Sequence, residues 1–114
     1  MKLDRNIPEN KGRGKYALLK LRNIDAPRDT STYANYKSRI QKALRLLDEV
    51  GILDWGDVGT ESEFFLIRLK DQFSTHALRA YADAAEDHDF EYASEVRELS
   101  RRSGRYSPFC KLPD

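Results

Sequence analysis

One run of twenty residues constrains this chain more than any other feature, because its apolar side chains recur at intervals of three and four. The run is TYANYKSRIQKALRLLDEVG, residues 32–51, and its main apolar positions are Tyr33, Tyr36, Ile40, Leu44 and Leu47. This spacing places the side chains on one face of an α-helix. The glycine at position 51 favours the left-handed conformation that commonly follows a last helical turn. The sequence therefore predicts an amphipathic helix of about five turns.

Two shorter helical stripes are present in the second half of the chain. Residues 73–85 and residues 90–103 both have apolar side chains at helical spacing. The acidic segment EDHD lies between them, and Asp89 is placed to accept a hydrogen bond from the first turn of the second stripe. These segments predict two helices joined by a short, solvated link.

Two other segments alternate apolar and polar side chains with the period of two that is typical of β-strands. They are KYALLKLRNI, residues 15–24, and EFFLIRLKD, residues 63–71. The short piece ILDW, residues 52–55, supplies a third extended segment before a Gly-rich loop. The element order is then β-α-β-β-α-α. This order predicts an α+β fold, in which a small sheet of about three strands packs against two or three helices.

The length of 114 residues matches a single domain. We expect one α+β domain over residues 1–114, with a flexible basic approach at residues 1–14 and an extended C-terminal tail at residues 105–114. No apolar run reaches the roughly 20 residues that span a bilayer. No apolar stretch follows the first charged residues, as it does in a signal peptide. The sequence thus predicts a cytoplasmic protein with no membrane contact.

The charged residues are unevenly distributed along the chain. Residues 1–22 carry seven basic and two acidic side chains, whereas residues 73–95 carry one basic and six acidic side chains. Residues 96–114 are basic again, with five basic and two acidic side chains. Such segregation allows a surface with separate positively and negatively charged patches, one of which attracts a partner. The alternative is that the charged side chains of these segments only face solvent and bind no partner.

Few side chains could carry covalent catalysis. Cys110 is the only cysteine, so the chain forms no intrachain disulfide and no multi-cysteine metal site. The two histidines, His76 and His88, lie in other segments, so no base is predicted beside the thiol. We predict that the protein is not an enzyme. A small enzyme with an unrecognised site is an alternative.

Two short motifs resemble ligand sites without completing them. Gly14 and Lys15 match the end of a phosphate loop, but Glu9 replaces the first glycine and Tyr16 replaces the hydroxyl-bearing residue. The acidic segment EDHDFE, residues 86–91, lacks the central glycine and the spacing of a calcium loop. The sequence therefore predicts no cofactor and no metal site.

Sequence-independent binding of nucleic acid is one functional hypothesis, because basic residues flank an aromatic side chain near the N-terminus. Tyr16 could stack on a base, although Leu18 and Leu21 stand where the signature strand of an RNA-recognition motif has aromatic residues. The basic residues that would contact nucleic acid or another acidic partner are Lys11, Arg13, Lys15, Lys20, Arg22, Arg101, Arg102 and Arg105.

Binding of another protein is the hypothesis that we favour, because the chain has spare aromatic residues and a two-signed charge pattern but no catalytic constellation. Interfaces are enriched in Tyr, Trp and Arg. Tyr33, Tyr36 and Phe109 are the candidate anchors, although Phe109 could equally fill one end of the core. Trp55 is expected to fill the core. The oligomeric state stays open, because an amphipathic helix looks the same whether it packs on its own chain or on a second copy.

Three stretches of the chain resemble a group of small proteins encoded by tailed bacteriophages. These stretches are GKYALLKLR, EFFLIRLKDQFSTHALRAYADAA and SPFCKLPD. The resemblance implies expression in a bacterial cytoplasm. It also implies a non-enzymatic accessory protein that modulates a host protein or a defence system, and it assigns no catalytic or binding residue.

Overall fold

A computed structural model of the chain describes residue 3, residues 13–25 and residues 30–113, with side chains described at residues 3, 13–24 and 36–113. Lys11 and most of the predicted basic approach at residues 1–14 lie outside the described residues. The side chain of Tyr33 also lies outside them, so its predicted role as an anchor stays a prediction.

The described residues form four α-helices and one short 3-10 helix. The α-helices are α1 (Leu21–Asp25), α2 (Thr30–Glu49), α3 (Ser74–Ala85) and α4 (Phe90–Ser100), and the 3-10 helix is Gly104–Tyr106. The three helices predicted from apolar spacing are confirmed as α2, α3 and α4. Gly51 has a φ of 77° in the turn that follows α2, which is the left-handed conformation expected of it.

The predicted small sheet is wrong. Within the described residues there is no sheet, and the only β-type pairing is an isolated parallel bridge between Asp71 and Lys111. Residues 16–20 and residues 63–68 have no regular secondary structure, and the first predicted strand gives way to α1. The fold is therefore mostly helical, and the α+β class is corrected.

The alternating segments fail as strands for a physical reason. Each contains only one β-branched residue, Ile24 in the first and Ile67 in the second, and is otherwise rich in Leu, Lys and Arg, which favour helices. A strand also needs a neighbouring strand to satisfy its backbone groups. Among the residues that the structure describes, the first segment has no such neighbour, and the second has only the isolated bridge at Asp71.

The described residues divide into two compact units. The first unit is built from residues within Met1–Ala17 and Leu66–Asp114, and the second from residues within Leu18–Phe65. All buried residues of the described part belong to the first unit. The apolar ones are Ala82, Ala93, Val96 and Leu99, the polar ones are Ser74, Thr75, Ser100 and Ser103, and Gly104 is also buried. The prediction of a single domain stays a prediction.

The core of the first unit is a hairpin of α3 packed against α4. Ala82 on α3 and Ala93 on α4 are both completely buried. Alanine has no bulky side chain, so the two helices can approach closely at these positions. Asp89 begins α4, because its side chain accepts a hydrogen bond of 3.0 Å from the backbone N–H of Tyr92.

Backbone hydrogen bonds close the open end of this hairpin. The N–H of Gly104, after α4, donates to the carbonyl of Leu69, before α3, over 2.7 Å. Further along, the N–H of Lys111 donates to Lys70 and the N–H of Gln72 donates to Lys111, over 2.9 and 2.8 Å. Residues 69–72 therefore lie beside Gly104 and Lys111.

The second unit contains α1, α2 and the turns that follow. The Nε1 of Trp55 donates to Asp48 at the end of α2 over 2.9 Å, and the N–H of Gly59 donates to Glu63 over 2.8 Å. No described side chain of this unit is buried. Among the described helices of both units, none has the length and apolarity that crossing a membrane requires.

Candidate interaction surfaces

Large apolar side chains are exposed throughout the second unit. Ile52 is 74% exposed and Val58 is 89% exposed, although both are aliphatic residues that normally lie inside a protein. Leu46 and Val50, near the end of α2, are also more than half exposed. The apolar surface around the end of α2 is therefore available for contact.

The apolar stripe of α2 is only partly covered. Ile40, Leu44 and Leu47 are half-buried, whereas Tyr36 is exposed. The guanidinium of Arg39 lies 5.3 Å from the centre of the Tyr36 ring, which holds that ring against the helix. Tyr36 is thus placed as the predicted anchor requires, and its role stays a prediction.

Trp55 does not fill a core, contrary to expectation. Its side chain is 41% exposed, and its one donor is satisfied by Asp48. The hydrogen bond fixes the indole at the surface with the ring partly in water. An amphipathic aromatic side chain held in this way is typical of interface anchors.

The predicted basic cluster near the N-terminus is exposed but does not lie on a strand. Arg13, Lys15, Tyr16 and Lys20 have no regular secondary structure, and Arg22 lies in α1. Because no sheet forms in the described part, no common strand face displays these side chains. Their role in binding nucleic acid stays a prediction.

The basic residues after α4 form a clearer arrangement around Tyr106. Arg105 donates to the Tyr106 hydroxyl over 2.8 Å, and its guanidinium lies 4.9 Å from the ring centre. The guanidinium of Arg79, from α3, lies 5.6 Å from the same ring centre. Hydrogen bonding from Arg105, and then from Arg79, lowers the pKa of Tyr106 below its ordinary value.

Sequence reasoning missed Arg79 and Tyr106. Tyr106 is adjacent to Arg105 in the sequence and could have been included with it. Arg79 lies on another helix, so only the folded hairpin brings it to the ring. Of the other predicted arginines, Arg101 pairs with Glu98 over 2.7 Å, and Arg102 is exposed at the end of α4.

No family model, curated protein or solved structure matches this chain. The resemblance to phage proteins stays a prediction.

Two carboxylates, one in the last turn of α3 and one in the link that follows, have a structural role. Arg97 lies 2.9 Å from Asp83 and 3.2 Å from Glu86, which ties the end of α3 to α4. The hydrogen bonds that the Arg97 guanidinium donates to Asp83 and then to Glu86 raise the pKa of Arg97. In the part of the chain that the structure describes, no three His, Cys, Asp or Glu side chains converge as metal ligands would.

A groove about 280 Å³ in volume runs along α3 in the first unit. Its lining residues are Ile67, Leu69, Ser74, Ala77, Leu78 and Tyr81. The sequence pattern placed Ala77, Leu78 and Tyr81 in one stripe with Ala82. The structure separates them, because Ala82 is buried in the core while the other three face the groove.

Part of the predicted tail at residues 105–114 is held in place by backbone hydrogen bonds. Lys111 forms the bridge to Asp71, and the N–H of Cys110 donates to Ser107 over 3.2 Å. Phe109 is 74% exposed, so it does not fill the core. It remains available as the predicted anchor, and Cys110 is exposed beside it.

Proposed function

We propose that this chain is a non-enzymatic protein whose second unit binds another protein. The observation that carries the proposal is the absence of any buried residue among the described side chains of that unit, together with the exposure of its aliphatic residues. A folded unit gains most of its stability from the burial of apolar surface. The described side chains of this unit are at most half-buried, so we expect a partner to supply the remaining burial.

The contact is expected at the end of α2 and in the segment that follows. Val50, Ile52 and Trp55 stand within six residues of one another and are all exposed. Interfaces combine a few aromatic or aliphatic anchors with a surrounding polar rim. Here Asp48 and Glu49 supply nearby exposed carboxylates, so we expect a partner that presents an apolar groove with basic residues beside it.

The resemblance to small phage proteins is compatible with this function. It supports a bacterial host protein or a component of a defence system as the partner, and the bacterial cytoplasm as the place of binding. These expectations rest on the three quoted stretches alone.

The test is capture of a stoichiometric complex from bacterial lysate with the full chain, compared with Ile52→Glu and with Gln41→Glu as the control. Gln41 is an exposed polar residue of α2, so its replacement adds the same charge outside the apolar surface. We expect the wild-type chain and Gln41→Glu to capture the same protein and Ile52→Glu to lose it. Equal capture by all three chains, or no specific capture, would overturn the proposal.

A direct readout is available in the purified complex once the emission of the partner alone is subtracted, because Trp55 is the only tryptophan of this chain. Its exposed indole emits as a partly hydrated ring when the chain is alone. Burial in the contact will shift the emission to shorter wavelength. An unchanged emission spectrum in a confirmed complex would place the contact elsewhere.

Binding of nucleic acid is a second candidate, and the arrangement around Tyr106 favours it. Two guanidiniums beside one exposed aromatic ring can contact phosphates while the ring stacks on a base. The test is binding of labelled single-stranded and double-stranded DNA and RNA at low and physiological salt. We expect salt-sensitive binding that Arg105→Glu weakens. Arg13→Glu tests the predicted N-terminal cluster in the same assay, and no binding at low salt would remove this candidate.

A further inference from the structure

We propose that the groove along α3 is the contact through which two copies of this chain associate in antiparallel orientation. The proposal concerns the first unit alone and does not depend on the partner of the second unit. It rests on the lining of the groove and on the charges at the two ends of the hairpin.

The groove suits apolar side chains better than a polar ligand. Its only lining hydroxyls are already engaged: Ser74 donates to backbone carbonyls before α3, and Tyr81 lies 3.1 Å from the hydroxyl of Tyr92. Side chains of a facing helix are therefore the occupants that fit.

The two ends of the hairpin carry opposite charges. Residues 83–95, at the turn end, contain six carboxylates and no lysine or arginine. Residues 68–72 and 101–111, at the open end, contain six lysines or arginines and one carboxylate, Asp71. Arg97 offsets part of the acidic charge through Asp83 and Glu86, whereas Asp87 and Glu91 are exposed carboxylates of the turn end.

This charge pattern identifies a second copy as the occupant. Two hairpins packed groove to groove about a two-fold axis place the acidic end of each over the basic end of the other. A parallel arrangement would instead bring like charges together. The antiparallel pair buries both grooves and makes a four-helix arrangement from two hairpins with short connections.

The first test is the mass of the full chain in solution, measured by sedimentation or by light scattering over a range of concentrations. We expect a dimer that dissociates more readily at high salt. Ala77→Glu places a carboxylate in the groove and is expected to weaken the dimer by more than about tenfold. Ala80→Glu is the matched control, because Ala80 is exposed on the same helix but does not line the groove. Circular dichroism verifies that both variants keep their helices.

The second test exchanges the charges and stays informative if Ala77→Glu does not fold. One variant carries Asp87→Lys with Glu91→Lys, and the other carries Arg68→Glu with Lys70→Glu. Each alone is expected to be mainly monomeric, and an equal mixture is expected to form a heterodimer. A wild-type chain that is monomeric at all concentrations, or a mixture that stays monomeric, overturns the proposal. A dimer that Ala80→Glu weakens as much as Ala77→Glu also overturns the proposal. If the wild-type chain is monomeric, a helix of another protein becomes the occupant to test.

Discussion

The hydroxyl oxygen of Thr75, in the first turn of α3, lies 2.9 Å from the hydroxyl oxygen of Ser103, just after α4. Both residues are buried. Ser103 uses its one proton to donate to the carbonyl of Ser100 over 2.6 Å, so Thr75 must be the donor in the pair. This chain of hydrogen bonds joins the start of one helix to the end of the other inside the first unit.

The first prediction concerns that hydroxyl pair. Thr75→Val keeps the shape of the side chain but removes the donor, and we expect it to lower the free energy of unfolding by about 1 kcal/mol. Ser103→Ala removes the acceptor. Urea unfolding of both single variants and of the double variant gives their coupling energy, and we expect the double variant to lose less stability than the two single variants together. Strictly additive effects would show that the two hydroxyls do not interact.

The second prediction concerns the glycine beside this pair. Gly104 has a φ of 52°, and a Cβ at this position would collide with the Thr75 side chain and lie 3.2 Å from the carbonyl oxygen of Gln72. Gly104→Ala is therefore expected to cost more than the roughly 1 kcal/mol that a left-handed non-glycine residue costs. Gly59→Ala is the control, since Gly59 has a φ of 84° with nothing near its Cβ position. Equal losses of stability in thermal unfolding would contradict the predicted collision.

The third prediction concerns the beginning of α4. Asp89→Ala removes the acceptor for the N–H of Tyr92 and leaves that helix end without its cap. We expect a lower melting temperature than for Asp87→Ala, which removes an exposed carboxylate of the adjacent turn. Asp89→Asn keeps an acceptor oxygen and should recover most of the loss. If Asp87→Ala proved as destabilising as Asp89→Ala, general charge and not capping would explain the effect.

The fourth prediction concerns the ionisation of Tyr106. Because hydrogen bonds from Arg105 and Arg79 lower its pKa, the phenolate of Tyr106 forms at a lower pH than that of an ordinary tyrosine. Ultraviolet titration of the chain, with Tyr106→Phe subtracted, isolates this phenol from the other tyrosines. Arg105→Gln and Arg79→Gln are each expected to move the transition to higher pH. A transition near pH 10, unchanged in both variants, would exclude the effect.

The spacing of apolar residues was sufficient to predict the long helices. It was not sufficient to predict the structure of the two alternating segments. The stripe of α2 repeats over five turns, and Gly51 ends it with the expected positive φ. A helix satisfies most of its own backbone hydrogen bonds, so local sequence can specify it. The segment around Phe64 and Ile67 alternates correctly but requires a second strand, and the sequence does not reveal whether one is present.

The candidate surfaces were less predictable than the helices. Arg79 and Arg105 are far apart in the sequence, and only the packing of α3 against the end of α4 brings them to one ring. The groove could not be predicted from the sequence for a related reason. Leu78 and Ala82 share a helical stripe, but Leu78 lines the groove and Ala82 is buried in the core. Periodicity shows that a residue is on an apolar face, but not whether the chain itself covers that face.

The bridge between Asp71 and Lys111 has a mechanical consequence. The chain around Asp71 and the chain around Lys111 run parallel. A force that pulls residue 66 away from residue 113 therefore pulls these two segments in opposite directions along their length. The force is then shared by two hydrogen bonds, from Lys111 to Lys70 and from Gln72 to Lys111, and acts along the direction of the segments. These bonds are loaded together and do not open one after the other. The first unit should therefore resist stretching between these two points until the bonds at its open end break together, and only then can α3 and α4 separate.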